Sequence, residues 1–305
     1  MIKTERPPFS YYGGKQRIAS KIVPYIPRHT VYVEPFSGAG TIMFKKQTPL
    51  ITNTHHYREV LNDTNNYVVN FFKVLQDKDK ANELISKLKL TPKSRTIFNK
   101  IENKIKSNNF DNDIDKAYCF YYKIMLSFSN IFNGAYGYNL KARNIGVTYY
   151  KKVNNLENYI ERMRYVEIEN LDALTILDKY DSANTFFYID PPYPNTEQGH
   201  YKGYSIEDYT KLINKLKTIK GSFILSCYRQ GIEPTEWKSI DIESVSSVSN
   251  TKIHKEKADN KRTETIWIVD NGGGINDEYY RKIYNKPEFQ DIWNLNNNQR
   301  IGDLW

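Results

Sequence analysis

The chain has 305 residues, 39% of them hydrophobic, with a mean hydropathy of −0.68 and a formal net charge of +9. No apolar run approaches the roughly 20 residues a membrane helix needs, and the first residues lack the apolar core of a secretory signal, which argues against membrane insertion or export. Cys119 and Cys227 lie far apart and form no CxxC pair, so a disulfide framework or structural zinc site is not expected and a reducing cytoplasm fits.

The opening "PPFSYYGGKQRIASKIVPYIP" has a turn at Gly13-Gly14, and its pattern predicts a helix from Gln16 to about Tyr25. Val31–Val33 reads as a strand, Ser37-Gly38-Ala39-Gly40 as a tight loop, and Thr41 to Lys46 as the start of a helix. A second strand is expected over Glu59–Asn62, then a helix through "NNYVVNFFKVLQ". Strand, glycine loop, helix, strand, acid, helix is how a doubly wound α/β sheet begins.

From about Asp77 the character changes. "DKDKANELISKLKL" and "KSRTIFNKIENKIKS" are polar, basic and helical, and "DIDKAYCFYYKIMLSFS" has an aromatic helical period. "NIFNGAYGYNLKARNIGVTYY" is rich in glycine and aromatics and reads as a β-hairpin or loop. From Lys78 to Arg164 there are 17 Lys and Arg against 8 Asp and Glu, an excess as large as that of the whole chain. A basic excess confined to one middle segment reads as a nucleic-acid face.

Near Tyr165 the α/β pattern resumes. "YVEIENLDALTIL" gives a strand and a helix, and "FFYIDPPY" the next strand. "SIEDYTKLINKLKTI" is an amphipathic helix with a serine cap; "GSFILSCY", "SIDIESVSSV" and "ETIWIVDN" are further strands. The expected organisation is a discontinuous α/β domain, residues 1–76 and 166–272, interrupted by a module at 77–165 and followed by a tail at 273–305.

Three motifs carry chemistry. In "EPFSGAG" the glycines let backbone approach a ligand at a helix N-terminus, or serve only to tighten the turn; the third glycine of a dinucleotide fingerprint is missing. Asp63 ends the second strand, where an acid either accepts ribose hydroxyls or caps the next helix. Asp190-Pro191-Pro192-Tyr193 follows a buried strand. A carboxylate, a carbonyl freed from the sheet and an aromatic face on a rigid backbone form a receptor for a planar amine. A nucleobase with an exocyclic amine, extruded from a duplex, fits that receptor. The five histidines are scattered without ligand spacing, so no metal is expected.

"YYGGK", "EPFSGAG", a basic insertion and "DPPY", in this order, resemble the Dam-like DNA N6-adenine methyltransferases over roughly residues 7–271. The resemblance implies a Rossmann-like S-adenosylmethionine (AdoMet) domain with a mostly parallel sheet. It also implies an inserted, mainly helical target-recognition domain carrying a β-hairpin. By resemblance Tyr12 and Lys15 line the AdoMet pocket, Phe36, Ser37, Gly38 and Gly40 pass beneath its methionine end, and Asp63 holds the ribose. Asp172 matches a position near the cofactor's adenine, with a helix cap as its structural alternative. Asp190 borders the cofactor and, with Pro191, Pro192 and Tyr193, grips the target base.

In the insertion, Phe132, Asn133, Gly134 and Asn139 match the family's DNA-reading hairpin, whereas Gly137 stands where an arginine is common and "ARNIGV" replaces "GEFNVP". Asn133, Tyr138, Asn139, Lys141 and Arg143 are the implied DNA contacts. The implied activity is methylation of adenine N6 in double-stranded DNA, in the cytoplasm of a bacterial or phage-infected cell, with any cognate restriction endonuclease a separate chain. The competing readings are a cytosine-N4 methyltransferase, an RNA or protein-glutamine methyltransferase, and a non-catalytic AdoMet- or DNA-binding module. Oligomeric state is not indicated.

Overall fold

The computed structural model describes residues 6–27, 29–46, 57–137, 145–194, 204–245 and 261–271. Seven strands, β1 (Val31–Glu34), β2 (Arg58–Asn62), β3 (Val166–Glu169), β4 (Thr185–Ile189), β5 (Ser222–Cys227), β6 (Lys238–Val245) and β7 (Lys261–Val269), form one sheet. Their order is β3-β2-β1-β4-β5-β7-β6. The first five are parallel, and β7 runs antiparallel to both β5 and β6. β4 and β5 are buried at every position, so they read as continuous apolar runs rather than alternating ones.

The chain steps outward from β1 through β2 to β3, then returns to the other side of β1 as β4 and β5. The direction therefore reverses between β1 and β4. Open α/β sheets bind ligands at the carboxyl ends of strands at such a switch point. Both motif loops leave from it: the glycine loop follows β1 and the Asp190 turn follows β4.

Side chains alternate across each strand. Tyr32, Tyr188, Ile224 and Ile266 face one layer, and Val33, Phe187, Leu225 and Trp267 face the other. The second layer holds α9 (Ala173–Tyr180) and α10 (Ile206–Leu216). Tyr209, Leu212, Ile213 and Leu216 form the buried stripe of α10, whose first turn is closed by a reciprocal Ser205–Asp208 capping box.

The first layer holds α1 (Ala19–Ile22), α2 (Thr41–Lys45), α3 (Asn66–Gln76), α4 (Lys78–Leu90), α5 (Arg95–Lys106), α6 (Asp113–Leu126), α7 (Ile145–Asn154) and α8 (Glu157–Met163). α6 is buried almost all round and forms the axis of this layer. Phe9, Phe71 and Phe120 meet with centroids 5.2 to 5.8 Å apart, so the N-terminal segment, α3 and α6 share one core with the sheet face. Part of the basic charge of these helices is used internally. Lys87 lies 3.0 Å from buried Asp115, and Lys123 reaches Glu102 at 3.1 Å.

Two elements differ from expectation. The helix predicted from Gln16 to about Tyr25 is a four-residue α1 followed by a 3-10 turn, Val23–Tyr25. Pro24 has no N–H for an α-helical bond and closes the element early. Ile145–Asn154 is helical, where a hairpin or loop was expected; buried Tyr149 and Val153 stand four apart on one face. Of the expected hairpin, the described residues show a single antiparallel bridge, Ser127 to Tyr136. The tail at 273–305 lies outside the described residues. No described helix is long and apolar enough to cross a membrane.

Candidate active site

The glycine loop is shaped by two left-handed residues, Gly38 (φ +48°) and Gly40 (φ +68°). A Cβ on Gly38 would lie 3.2 Å from the Tyr11 ring, and one on Gly40 would lie 3.2 Å from Phe44 and 3.3 Å from Leu61. Only glycine meets both demands without strain. The Gly40 N–H donates to Ser37 O at 2.7 Å, and the Ser37 N–H donates to Asn62 O at 2.8 Å, tying the loop to β2. Phe36 is half-buried and meets Tyr204 edge-on.

Asp63 braces this loop. Its carboxylate accepts from the Gly38 N–H and the Asn65 N–H, both at 2.8 Å. The cap of α3 is Asn65, so of the two roles open to Asp63 capping falls to its neighbour. Burial pushes the Asp63 carboxyl up to about 6, against the two backbone donors that pull it down. A carboxylate has about four lone-pair sites, and the two backbone donors occupy two of them.

At the end of β4, alternation places Asp190 on the same face as Tyr188. By the same rule Glu34 follows Tyr32, Ser226 follows Ile224 and Glu264 precedes Ile266, so four polar residues gather at the carboxyl end of one apolar face. Lys15 comes over them from the turn closed by the Gly14 N–H to Tyr11 O bond. Its Nζ lies 2.6 Å from Asp190 Oδ1, 2.6 Å from Tyr193 Oη and 3.4 Å from Glu264 Oε1. Tyr193 donates to Glu264 Oε1, and Ser226 Oγ donates to the same oxygen at 2.8 Å. The Tyr193 ring is buried against Tyr228, centroids 4.6 Å apart.

Burial works to lower the Lys15 pKa, but the carboxylates of Asp190 and Glu264 overcome it and keep the ammonium charged. Asp190 is pushed up to about 6, first by burial and then by Glu264, against the pull of Lys15. Glu34 accepts from Tyr32 Oη and the Met43 N–H, both at 2.7 Å, yet burial still lifts it to about 8. A charged carboxylate at the mouth of the crevice thus sits beside one held neutral deeper in.

The structure brings Lys15, Asp190 and Tyr193 together, with Phe36–Gly40 and Asp63 on the neighbouring strands. Tyr12 is half-buried on the turn before Lys15. Asp172 is exposed and caps α9, accepting from the Leu174 N–H at 2.9 Å. Asn133 is exposed on the loop after α6; Tyr138, Asn139, Lys141 and Arg143 lie outside the described residues. Among the described residues no group of His, Cys, Asp and Glu could hold a metal ion.

Sequence reasoning missed Glu264, Glu34, Tyr11 and Asn62. Asn62 joins three segments, donating to Pro35 O and Leu171 O and accepting from the Leu171 N–H. Tyr11 Oη accepts from Asn65 at 3.1 Å. The available signal for Glu34 and Glu264 was an acid placed in register with apolar residues of a buried strand.

A doubly wound sheet with a glycine loop on one side of its switch point and an acid-proline-proline-tyrosine turn on the other defines a group-transfer enzyme of the methyltransferase class. The chain belongs to the D12 class N6 adenine-specific DNA methyltransferase family, matched over residues 11–262. The methyl donor of that family is AdoMet. The chain is 27% identical to the type II methyltransferase M.MjaIII of Methanocaldococcus jannaschii, over 67% of this chain and 75% of the relative. It is 28% identical to the DNA N-6-adenine-methyltransferase of Escherichia phage P1, over 70% of this chain but 28% of that longer protein. It is 25% identical to the DNA adenine methylase of Vibrio cholerae, over 68% of this chain and 73% of the relative.

Proposed function

We propose that this chain transfers the methyl group of AdoMet to N6 of an adenine rotated out of double-stranded DNA at a specific site. The observation that carries this reading is the placement of Asp190. It is a half-buried carboxylate fixed by Lys15 at the end of β4, beside the strand that carries the glycine loop.

Bound AdoMet supplies an electrophilic methyl group on a sulfonium sulfur. The left-handed glycines and the remaining lone pairs of Asp63 fit that ligand; Tyr12 and Lys15 would line its pocket, Phe36, Ser37, Gly38 and Gly40 would pass beneath its methionine end, and Asp172 would stand near its adenine. The target amine is a poor nucleophile because its lone pair is delocalised into the ring. The Asp190 carboxylate and the Pro191 carbonyl each accept an N6–H, which favours a more pyramidal, electron-rich nitrogen and aims it at the methyl group. Pro191 and Pro192 hold that geometry rigidly, and Tyr193 forms the ring wall of the pocket. Catalysis is then mostly orientation and electrostatics. The N6 proton becomes acidic as transfer proceeds, and Asp190 relays it to solvent.

In the same reading, residues 77–165 recognise the target, with Asn133, Tyr138, Asn139, Lys141 and Arg143 on the DNA, and any cognate endonuclease is a separate chain. The test is to incubate purified protein with duplex DNA and methyl-labelled AdoMet, digest the DNA and identify the labelled nucleoside. Label in N6-methyladenine is expected; label in N4-methylcytosine, or none, overturns the proposal.

A further inference from the structure

We infer that Glu264 is a positioning residue for methyl transfer, acting through Lys15 to leave Asp190 a strong acceptor for the incoming amine. The inference deepens the proposed function and rests on it for the identity of the reaction.

Glu264 lies on the antiparallel strand β7, with 8% of its side chain exposed. Its cross-strand partner on β6 is Ile242, and Ile266, two residues on, faces the same apolar layer. A carboxylate in that setting is costly unless it is paired. Three donors meet its Oε1: Tyr193 Oη, Ser226 Oγ at 2.8 Å and Lys15 Nζ at 3.4 Å. They come from the Asp190 loop, β5 and the N-terminal turn, so one oxygen collects the segments that surround Asp190.

One ammonium shared between two carboxylates leaves the pocket with a net negative charge. Without Glu264, Asp190 would be the one carboxylate paired with Lys15 among the described residues, and its charge would be offset. Asp190 would then bind an N6–H less strongly. The other titratable groups that face this corner are Tyr188 on β4, Cys227 on β5 and Glu34 on β1. Burial raises all three, so Glu264 is the negative neighbour that sets the balance against Lys15.

The test uses Glu264→Gln, which keeps the shape and loses the charge. A fall in kcat of about 10–100-fold is expected, with KM for AdoMet within about twofold. In the ligand-free variant, the carbon-13 resonance of the Asp190 carboxyl should titrate at lower pH than in wild type, because a negative neighbour is gone. That readout needs no methyl transfer, so it separates this inference from the proposed activity. Glu264→Asp, which keeps the charge, should retain the wild-type titration of Asp190. In a Lys15→Met background, Glu264→Gln should change kcat by less than about twofold, since the residue it acts through is missing. An unmoved Asp190 titration in Glu264→Gln, or an undiminished kcat effect in the Lys15→Met background, would leave Glu264 a structural residue only and overturn the inference.

Discussion

Lys15 Nζ lies 2.6 Å from Asp190 Oδ1, joining the turn before the first helix to the loop after the fourth strand across 175 positions of sequence. The contact fixes the carboxylate on which the proposed chemistry depends. Asp190→Ala should abolish label transfer, a loss of about 1,000-fold or more for a group that aligns and polarises the nucleophile. AdoMet should still bind within about threefold of wild type by calorimetry, because the glycine loop and Asp63 are untouched. Retained methyl transfer would remove Asp190 from the mechanism.

The rate should have an acid limb near pH 6. Burial and Glu264 raise the Asp190 carboxyl from its usual value near 3.8 to about 6, and only the ionised form accepts an N6–H. Below that pH the group is protonated and single-turnover transfer should fall tenfold per pH unit. A limb centred near pH 4 would show that Asp190 titrates as an ordinary surface carboxyl.

Glu34→Gln should become more stabilising as the pH rises. The folded-state carboxyl is raised, first by burial, to about 8 from a reference of 4.5. Between those values the folded protein holds a proton that the unfolded chain has lost, so the wild type loses stability across the window and the loss is complete above about pH 8. Glutamine keeps an oxygen for Tyr32 Oη and the Met43 N–H without the charge. The gain, on the order of 5 kcal/mol at pH 9 and about 1 kcal/mol at pH 5, is read by denaturant unfolding at both values. An equal difference at the two pH values would contradict it.

How far the molecule is legible from its residues depends on what each signal encodes. β4 and β5 are legible because unbroken runs such as "FFYI" and "FILS" have no place but the middle of a parallel sheet. The order "SGAG" then "DPPY" marks both sides of the switch point, because each motif directly follows such a strand. The α7 segment misleads: glycine and paired tyrosines suggest a hairpin, while the Tyr149–Val153 spacing that makes it a helix emerges only once those two side chains are buried. Glu264 is hidden for another reason. In "KRTETIWIVDN" only a strand is legible; that β7 lies inside the sheet between β5 and β6, with the Glu264 side facing the site, is set by topology. The fold follows from local patterns; the partners of Lys15 follow from topology.

Gly40→Ala should destabilise the fold and weaken cofactor binding together. Its φ of +68° is a left-handed conformation that costs an L-residue about 1–2 kcal/mol. The added methyl would also press on Phe44 and Leu61 at 3.2 and 3.3 Å. A loss of about 2 kcal/mol in denaturant unfolding is expected, with weaker AdoMet binding by calorimetry, since the loop closes on Ser37 and, in the proposed reading, shapes the cofactor bed. An alanine variant of unchanged stability would mean the loop relaxes at no cost.

The last prediction concerns Lys141 and Arg143, both outside the described residues but inside the most basic stretch of the chain. Several cations of the described helices are committed internally: Lys123 to Glu102 and Gly134 O, Lys87 and Lys104 to Asp115. A phosphate backbone needs other cations, and the sequence between Asn139 and Asn144 carries two within three residues. Each phosphate neutralised contributes about 0.9 to the slope of log affinity against log salt on duplex DNA. The double variant Lys141→Ala, Arg143→Ala should therefore weaken binding and make the slope shallower by about 2, in a fluorescence-anisotropy titration across salt concentrations. Because phosphates carry no sequence information, the loss should be similar on target and non-target duplexes. A selective loss on the target duplex with an unchanged slope would assign the pair to base edges rather than to the backbone.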